Sequence, residues 1–143
     1  MSEKISLKYE VSCDDFTRAG EASSSVKRKL KLMGVDPEAI RKVAISLYEG
    51  EINMVIHSYG GTIEVIISPN EIEMILKDKG PGIEDIDLAM QAGYTTAPDN
   101  IRSLGFGAGM GLPNMKKYTD YLKIESEVGI GTTLTMRVDI PLV

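Results

Sequence analysis

The chain has 143 residues, 43% of them apolar and 26% charged, which fits one globular domain with a real core and leaves no room for two. Sixteen Lys+Arg against 21 Asp+Glu give a net charge of −5, and that acidic balance predicts no basic patch and argues against nucleic acid as a partner. No apolar run approaches the roughly 18–20 residues of a membrane helix, Met1 to Glu10 lacks the apolar stretch of a secretory signal, and a single cysteine (Cys13) and a single histidine (His57) exclude a disulfide framework and a histidine-rich metal site, so the chain reads as a cytoplasmic domain.

Ile5, Leu7, Tyr9 and Val11 alternate with Ser6, Lys8 and Glu10, the period-two pattern of a half-buried strand. Asp14 or Asp15 is read as the cap of a helix running to about Met33, with Val26, Leu30 and Met33 on its inner stripe and Gly34 as its stop. Asp36-Pro37-Glu38 opens a second helix, whose apolar positions include Ile40, Val43, Leu47, Ile52 and Val55 and which ends before Gly60-Gly61. Thr62 to Ser68 and Glu71 to Lys77 read as strands joined by a turn at Pro69-Asn70. A short helix is expected from Ile83 to Gln91, an aperiodic loop from about Ala92 to Leu104, and a helix from Met110 or Gly111 to about Tyr118. Tyr121 to Glu127 and Thr132 to Ile140 form a closing hairpin around Val128-Gly129-Ile130-Gly131. Tight turns between paired strands imply a mixed, largely antiparallel sheet with the helices on one face, a two-layer α/β sandwich.

Four segments carry chemistry. Glu49 and Asn53 stand four apart on the second helix and share a face, with His57 four further on, while Glu51 points elsewhere. A carboxylate beside an amide oxygen suits general-base work next to a hard cation that keeps waters and shares a substrate's phosphates; taken alone, the pair is also an ordinary solvated helix face. Asp78-Lys79-Gly80-Pro81-Gly82 follows a strand directly, so a short acid at a strand end can accept from an exocyclic amine and the glycines let a flat ring approach the backbone. Seven of the 14 glycines (Gly80, Gly82, Gly93, Gly105, Gly107, Gly109 and Gly111) lie in one stretch, and the run Gly105 to Leu112 opens a helix. Unpaired amides at a helix start form an anion site suited to a triphosphate. That run is neither a dinucleotide fingerprint, since no βαβ unit surrounds it, nor a Walker A loop, since no Lys-Ser/Thr follows. Last, Gly129-Ile130-Gly131-Thr132-Thr133 begins the final strand, where a Thr hydroxyl can face the Asp78 pocket or simply serve the strand.

In this order, Glu49/Asn53, Asp78-x-Gly80-x-Gly82, the glycine run and Gly131-Thr132 resemble the motifs of the GHKL ATPases, which include gyrase, MutL, Hsp90-type chaperones and histidine kinases. The resemblance covers about Ile5 to Val138 and implies the Bergerat ATP-binding fold. The segment Asn53 to Tyr59 looks like the bacterial anti-sigma-factor serine kinases; Ala92 to Thr96 and Ile124 to Gly129 look closest to their RsbT-type branch, with the RsbW and SpoIIAB branch as near neighbour. The resemblance implies ATP and Mg²⁺ as cofactors. It implies Glu49 as the base that polarises a substrate serine, Asn53 as the Mg²⁺ ligand, and Asp78 with Thr132 at the adenine amine. Gly80 and Gly82 would shape the adenine pocket, Gly105, Gly107, Gly109, Gly111 and Leu112 would wrap the phosphates, and Arg102 would neutralise one. Two features depart from the family's usual pattern: Lys79 follows Asp78, and the glycine run is longer than in some relatives.

The expected function is therefore an ATP-dependent serine/threonine kinase and anti-sigma regulatory factor acting on a STAS-type anti-anti-sigma protein, with a sigma factor or phosphatase as further partners and a homodimer left open. An ATP-binding docking module with little kinase activity is the alternative, and Glu49 speaks against it, because a pure sensor has no use for a base. A histidine-kinase domain acting in trans is another; the sole histidine lies in the Glu49/Asn53 helix, which disfavours self-phosphorylation on histidine.

Overall fold

The computed structural model describes residues 4–12, 17–83, 85–91 and 111–141. Five strands form one sheet: β1 (Ile5–Val11), β2 (Gly61–Ile67), β3 (Glu71–Asp78), β4 (Tyr121–Glu127) and β5 (Gly131–Asp139), in the order β1-β2-β3-β5-β4. Every one of these pairings is antiparallel, so the parallel component of the expected mixed sheet is absent among the described residues. Helices α1 (Glu21–Leu32), α2 (Pro37–His57), α3 (Ile86–Ala89) and α4 (Gly111–Tyr118) accompany it.

The register explains the layering. Ile63 faces Leu76, Val65 faces Met74 and Ile67 faces Ile72, and the same rows continue into β5 through Leu134, Met136 and Val138. All of these side chains are buried, so one sheet face is apolar across its three central strands. Val26 and Leu30 of α1, Val43, Leu47, Met54 and Val55 of α2, and Met115 of α4 cover it. At about 1.5–3 kcal/mol per buried aliphatic side chain, this shared layer is the main stabilising term.

Asp36 starts α2 as expected: its carboxylate accepts the Ala39 N–H at 3.0 Å, and Pro37 occupies the first turn. Gly50, midway along α2, lies so close to β3 that an added Cβ would collide with Leu76. The helix therefore packs backbone-to-side-chain on the sheet at the turn that carries Glu49.

Three expectations about α1 and α3 are corrected. The described helix α1 begins at Glu21 after Gly20, and no side chain of Gly20 or its neighbours caps it; Asp14 and Asp15 lie outside the described residues. Met33 is 44% exposed and does not belong to the inner stripe, because it follows the last helical turn. α3 spans four residues, since Asp85 caps it at Leu88 N–H only two residues into the expected span and its backbone closes again at Met90.

The whole-chain charge balance also hides a local one. Lys27, Arg28, Lys29 and Lys31 fall within five residues of α1 and are all exposed, so the expectation of no basic patch fails there. No helix among the described residues is long and apolar enough to cross a membrane.

Candidate functional site

The strand order decides the site. β3 and β5 are neighbours, which brings the last residue of β3, Asp78, against the first residues of β5, 54 positions away in sequence. The Thr132 N–H donates to Asp78 Oδ1 at 3.0 Å. Gly131 lies directly on the Asp78 carbonyl, where any Cβ would overlap it. Thr132 is buried, and its hydroxyl is 2.9 Å from the hydroxyl of Ser126 on β4. Ser126 Oγ also accepts the Ile83 N–H at 2.7 Å. Thr132 therefore anchors Asp78 through its backbone, while its hydroxyl joins a network with Ser126. Sequence reasoning missed Ser126; the signal was its position directly opposite Thr132 in a hairpin register.

The segment after Asp78 is clamped from both sides. Tyr59 N–H donates to the Lys79 carbonyl at 2.7 Å and Lys79 N–H to the Gly60 carbonyl at 3.0 Å. From the other flank, Gly80 N–H donates to the Ile130 carbonyl at 3.1 Å and Gly129 N–H to the Pro81 carbonyl at 2.9 Å. A Cβ on Gly80 would press on the Ser58 backbone, and Gly82, at φ 77°, lies against Glu127 and Val128. These two glycines thus admit protein backbone on the sides the structure describes. Burial raises the Asp78 pKa above the ordinary carboxylate value, with the Thr132 hydrogen bond opposing the shift.

Glu49 and Asn53 share one face of α2, both half-buried. Asn114 Nδ2 donates to Glu49 Oε1 at 3.3 Å, and Gly111, the first residue of α4, sits beside Glu49 Oε2. The start of α4 and the carboxylate are therefore adjacent, with Leu112 buried beneath them. Asn114 was not foreseen, although it lies one helical turn from Gly111 and so shares its face. His57, further along α2, is held below its ordinary pKa by burial.

Residues 43–142 match the family described as histidine kinase-, DNA gyrase B- and HSP90-like ATPase. The chain belongs to that family. This ATPase domain is 33% identical over 144 residues to an anti-sigma F factor of Clostridium acetobutylicum, covering 96% of the chain and 94% of the relative. It is 38% identical over 109 residues to an anti-sigma F factor of a Thermoanaerobacter species, covering 71% and 73%. Among solved structures it resembles one of the RsbU and RsbW domains of a Mycobacterium tuberculosis protein, with a TM-score of 0.61 and 16% identity, covering 94% of this chain and 32% of that one. A mycobacterial sensor histidine kinase, MprB, gives a TM-score of 0.54 at 16% identity, covering 97% of this chain and 100% of that one. These two likenesses concern the fold.

The chemistry of the residues gathered here fits an adenine nucleotide. Asp78 Oδ1 is occupied by Thr132, and among the described residues Oδ2 accepts no hydrogen bond, so it can take one from an exocyclic amine. Gly111 and Leu112 contribute the first amides of α4, which have no partner within the helix and attract anions. Among the described residues no group of three or more His, Cys, Asp or Glu side chains gathers as a metal cage. A single amide oxygen such as Asn53 Oδ1 matches Mg²⁺, which keeps waters and takes its other ligands from phosphates. Arg102, Gly105, Gly107 and Gly109 lie outside the described residues.

Glu51 does point away from Asn53, and its role is local. Its buried carboxylate accepts N–H groups from Gly20 and Ala22 at Oε2 (3.1 and 3.2 Å) and from Ser23 at Oε1 (3.0 Å). A residue of α2 thus caps α1 in trans, which explains why α1 needs no local cap. A concavity of about 740 Å³ lies between β1 and α1 beside Glu51 and is lined by none of the expected site residues.

Proposed function

We propose that the chain is an ATP- and Mg²⁺-dependent protein serine kinase of the anti-sigma-factor type, acting on a STAS-domain anti-anti-sigma protein, with a sigma factor and a phosphatase as its other partners. The observation that carries this reading is the carboxylate of Glu49, retained on α2 four residues before Asn53 and steadied by Asn114 beside the start of α4. A nucleotide-sensing module needs the adenine and phosphate contacts alone. A carboxylate beside the phosphate-facing helix start is a cost to anion binding unless it handles a proton. A relative named anti-sigma F factor that matches nearly the whole chain supports the anti-sigma part of this reading.

In this mechanism Asp78 Oδ2 accepts from the adenine amine while Thr132 holds Oδ1. Asn53 Oδ1 would hold Mg²⁺, which would supply neutralisation of the phosphate charge, and ATP would supply the γ-phosphoryl group. Glu49 would accept the serine hydroxyl proton as the hydroxyl oxygen bonds to the γ-phosphorus, the bond from that phosphorus to the β–γ bridging oxygen breaks and ADP leaves; the amides at Gly111 and Leu112 would face the charge on the phosphates. Asn114 acts as a positioning residue, fixing the carboxylate through its amide.

The test is transfer of radiolabelled γ-phosphate to a purified STAS-domain protein. The expected product is acid-stable phosphoserine. Glu49→Ala is expected to abolish transfer while leaving Mg·ATP binding by calorimetry nearly unchanged, and Asn53→Ala to weaken that binding. Acid-labile phosphohistidine, or transfer undiminished in Glu49→Ala, would overturn the assignment.

A further inference from the structure

Beside the nucleotide site, α1 and α2 enclose a groove of about 310 Å³. Ser23, Ser24 and Lys27 of α1 line one wall, and Ala44, Ile45, Tyr48 and Glu49 of α2 the other. The lining thus includes the residue whose carboxylate Asn114 steadies. Its α1 rim is basic. Ser24, Lys27 and Lys31 recur at helical spacing along one edge of α1 and are all exposed.

The chain is net −5, and several of its cations sit in ion pairs: Lys8 with Glu64, Arg18 with Glu21, Arg41 with Glu38, Lys123 with Glu125 and Arg137 with Asp139. What sets α1 apart is the clustering of Lys27, Arg28, Lys29 and Lys31, all exposed, within five residues. Among the described residues Lys27, Arg28 and Lys31 pair with none. Unpaired cations clustered on one helix of an acidic domain attract and orient an acidic partner. The opposite wall is apolar at Ala44 and Ile45, with the Tyr48 ring resting against Gly20 and its hydroxyl kept protonated by burial and by Glu49 and Glu51. A basic rim over an apolar floor suits a peptide segment that alternates acidic and apolar side chains.

We propose that this α1–α2 groove is the docking track for an acidic, serine-bearing segment of the protein substrate: Lys27 and Lys31 hold its carboxylates, Ile45 and Tyr48 take its apolar side chains, and its serine is delivered to Glu49. This rests on the kinase reading above for the serine, but the groove's preference for an acidic segment is tested without catalysis.

The experiment is fluorescence anisotropy with short labelled peptides of one frame, a central serine flanked by Asp and Leu, by Lys and Leu, or by Gln and Leu. The acidic peptide is expected to bind about tenfold more tightly than the Gln peptide at low salt, and the advantage should fade as salt screens it. Lys27→Glu/Lys31→Glu is expected to abolish the preference, and Ile45→Arg to weaken binding of the acidic peptide. Lys77→Glu, a charge reversal on an exposed strand residue outside the groove, should leave binding unchanged, and circular dichroism should show all variants folded. Equal binding of the three peptides overturns the proposal. So does an acidic preference that survives Lys27→Glu/Lys31→Glu, or tighter binding of a DNA oligonucleotide or of anionic phospholipid vesicles at α1. An acidic preference lost in Lys27→Glu/Lys31→Glu, with no serine phosphorylated under Mg·ATP, would keep the groove and remove the kinase reading.

Discussion

Asp78 sets a conflict between binding and stability at a single carboxylate. Burial raises its pKa, so the ionised form is a net cost to the native state at neutral pH. The native state binds this proton more tightly than the unfolded chain, so the cost is absent below the unfolded pKa and grows as pH rises through the raised folded pKa. Asp78→Asn retains an oxygen for the Thr132 N–H and carries no charge. The variant is expected to melt at or above the wild-type temperature at pH 7, with the difference vanishing toward acid, while its affinity for ATP collapses. Thermal scans across pH and calorimetry check the two halves, and a variant that melts lower at pH 7 would contradict the desolvation argument. Glu51 contributes to stability through its hydrogen bonds. Its carboxylate accepts three buried N–H groups, so Glu51→Ala is expected to cost about 3 kcal/mol in urea unfolding, with Glu51→Gln losing less because one oxygen remains. Asp78 was legible in the sequence because a short acid at a strand end followed by glycines is a local pattern. The capping role of Glu51 was not, because its partners lie about 30 residues away and only the packing of α1 on α2 reveals them.

Elements differed in legibility for the same reason. β2 and β3 were readable from alternation, and α2 from Asp36-Pro37, because each signal is carried within one turn or one strand pair. The start of α1 and the length of α3 were misread, since the first is fixed by a carboxylate on another helix and the second stops after one turn. The strand order was not readable from local patterns, which say that β4 and β5 form a hairpin but not that β5 lies against β3; Thr132 was expected near Asp78, but through its hydroxyl and not through the backbone N–H that joins them. Gly50 shows how element packing reaches the site. Helix propensity favours alanine there by up to about 1 kcal/mol. Overpacking costs about 1–3 kcal/mol, and Leu76, the residue a Cβ would strike, is 1% exposed, so its side chain must shift within the core. Gly50→Ala is therefore expected to be destabilising, by about 1–2 kcal/mol. A lower urea midpoint with an unchanged slope would report this, whereas a gain in stability would mean that α2 can shift on the sheet.

At the scale of the whole molecule, the proposed nucleotide site draws on elements that the chain visits far apart. α2 carries Glu49 and Asn53, the β3–β5 edge carries Asp78 and Thr132, and α4 contributes its first amides. A ligand that touches all three binds only the native arrangement, so its binding free energy appears as stability of the entire fold. At free Mg·ATP of a hundred times its Kd, the native state should gain about 2.7 kcal/mol. For a chain of this size that corresponds to a melting temperature raised by roughly 5–10 °C. The shift should be smaller when EDTA replaces Mg²⁺, because an acidic domain then meets the bare charge of the triphosphate without the cation that Asn53 would help hold. Asn53→Ala should reduce the Mg²⁺-dependent part of the shift and leave the rest, whereas Asp78→Asn should remove the shift in both conditions. Scanning the wild type and these two variants with ATP, with and without EDTA, separates the metal contact from the adenine contact in one measurement. An unshifted wild type at millimolar ATP and ADP would mean that the three elements, though assembled, do not close on a nucleotide.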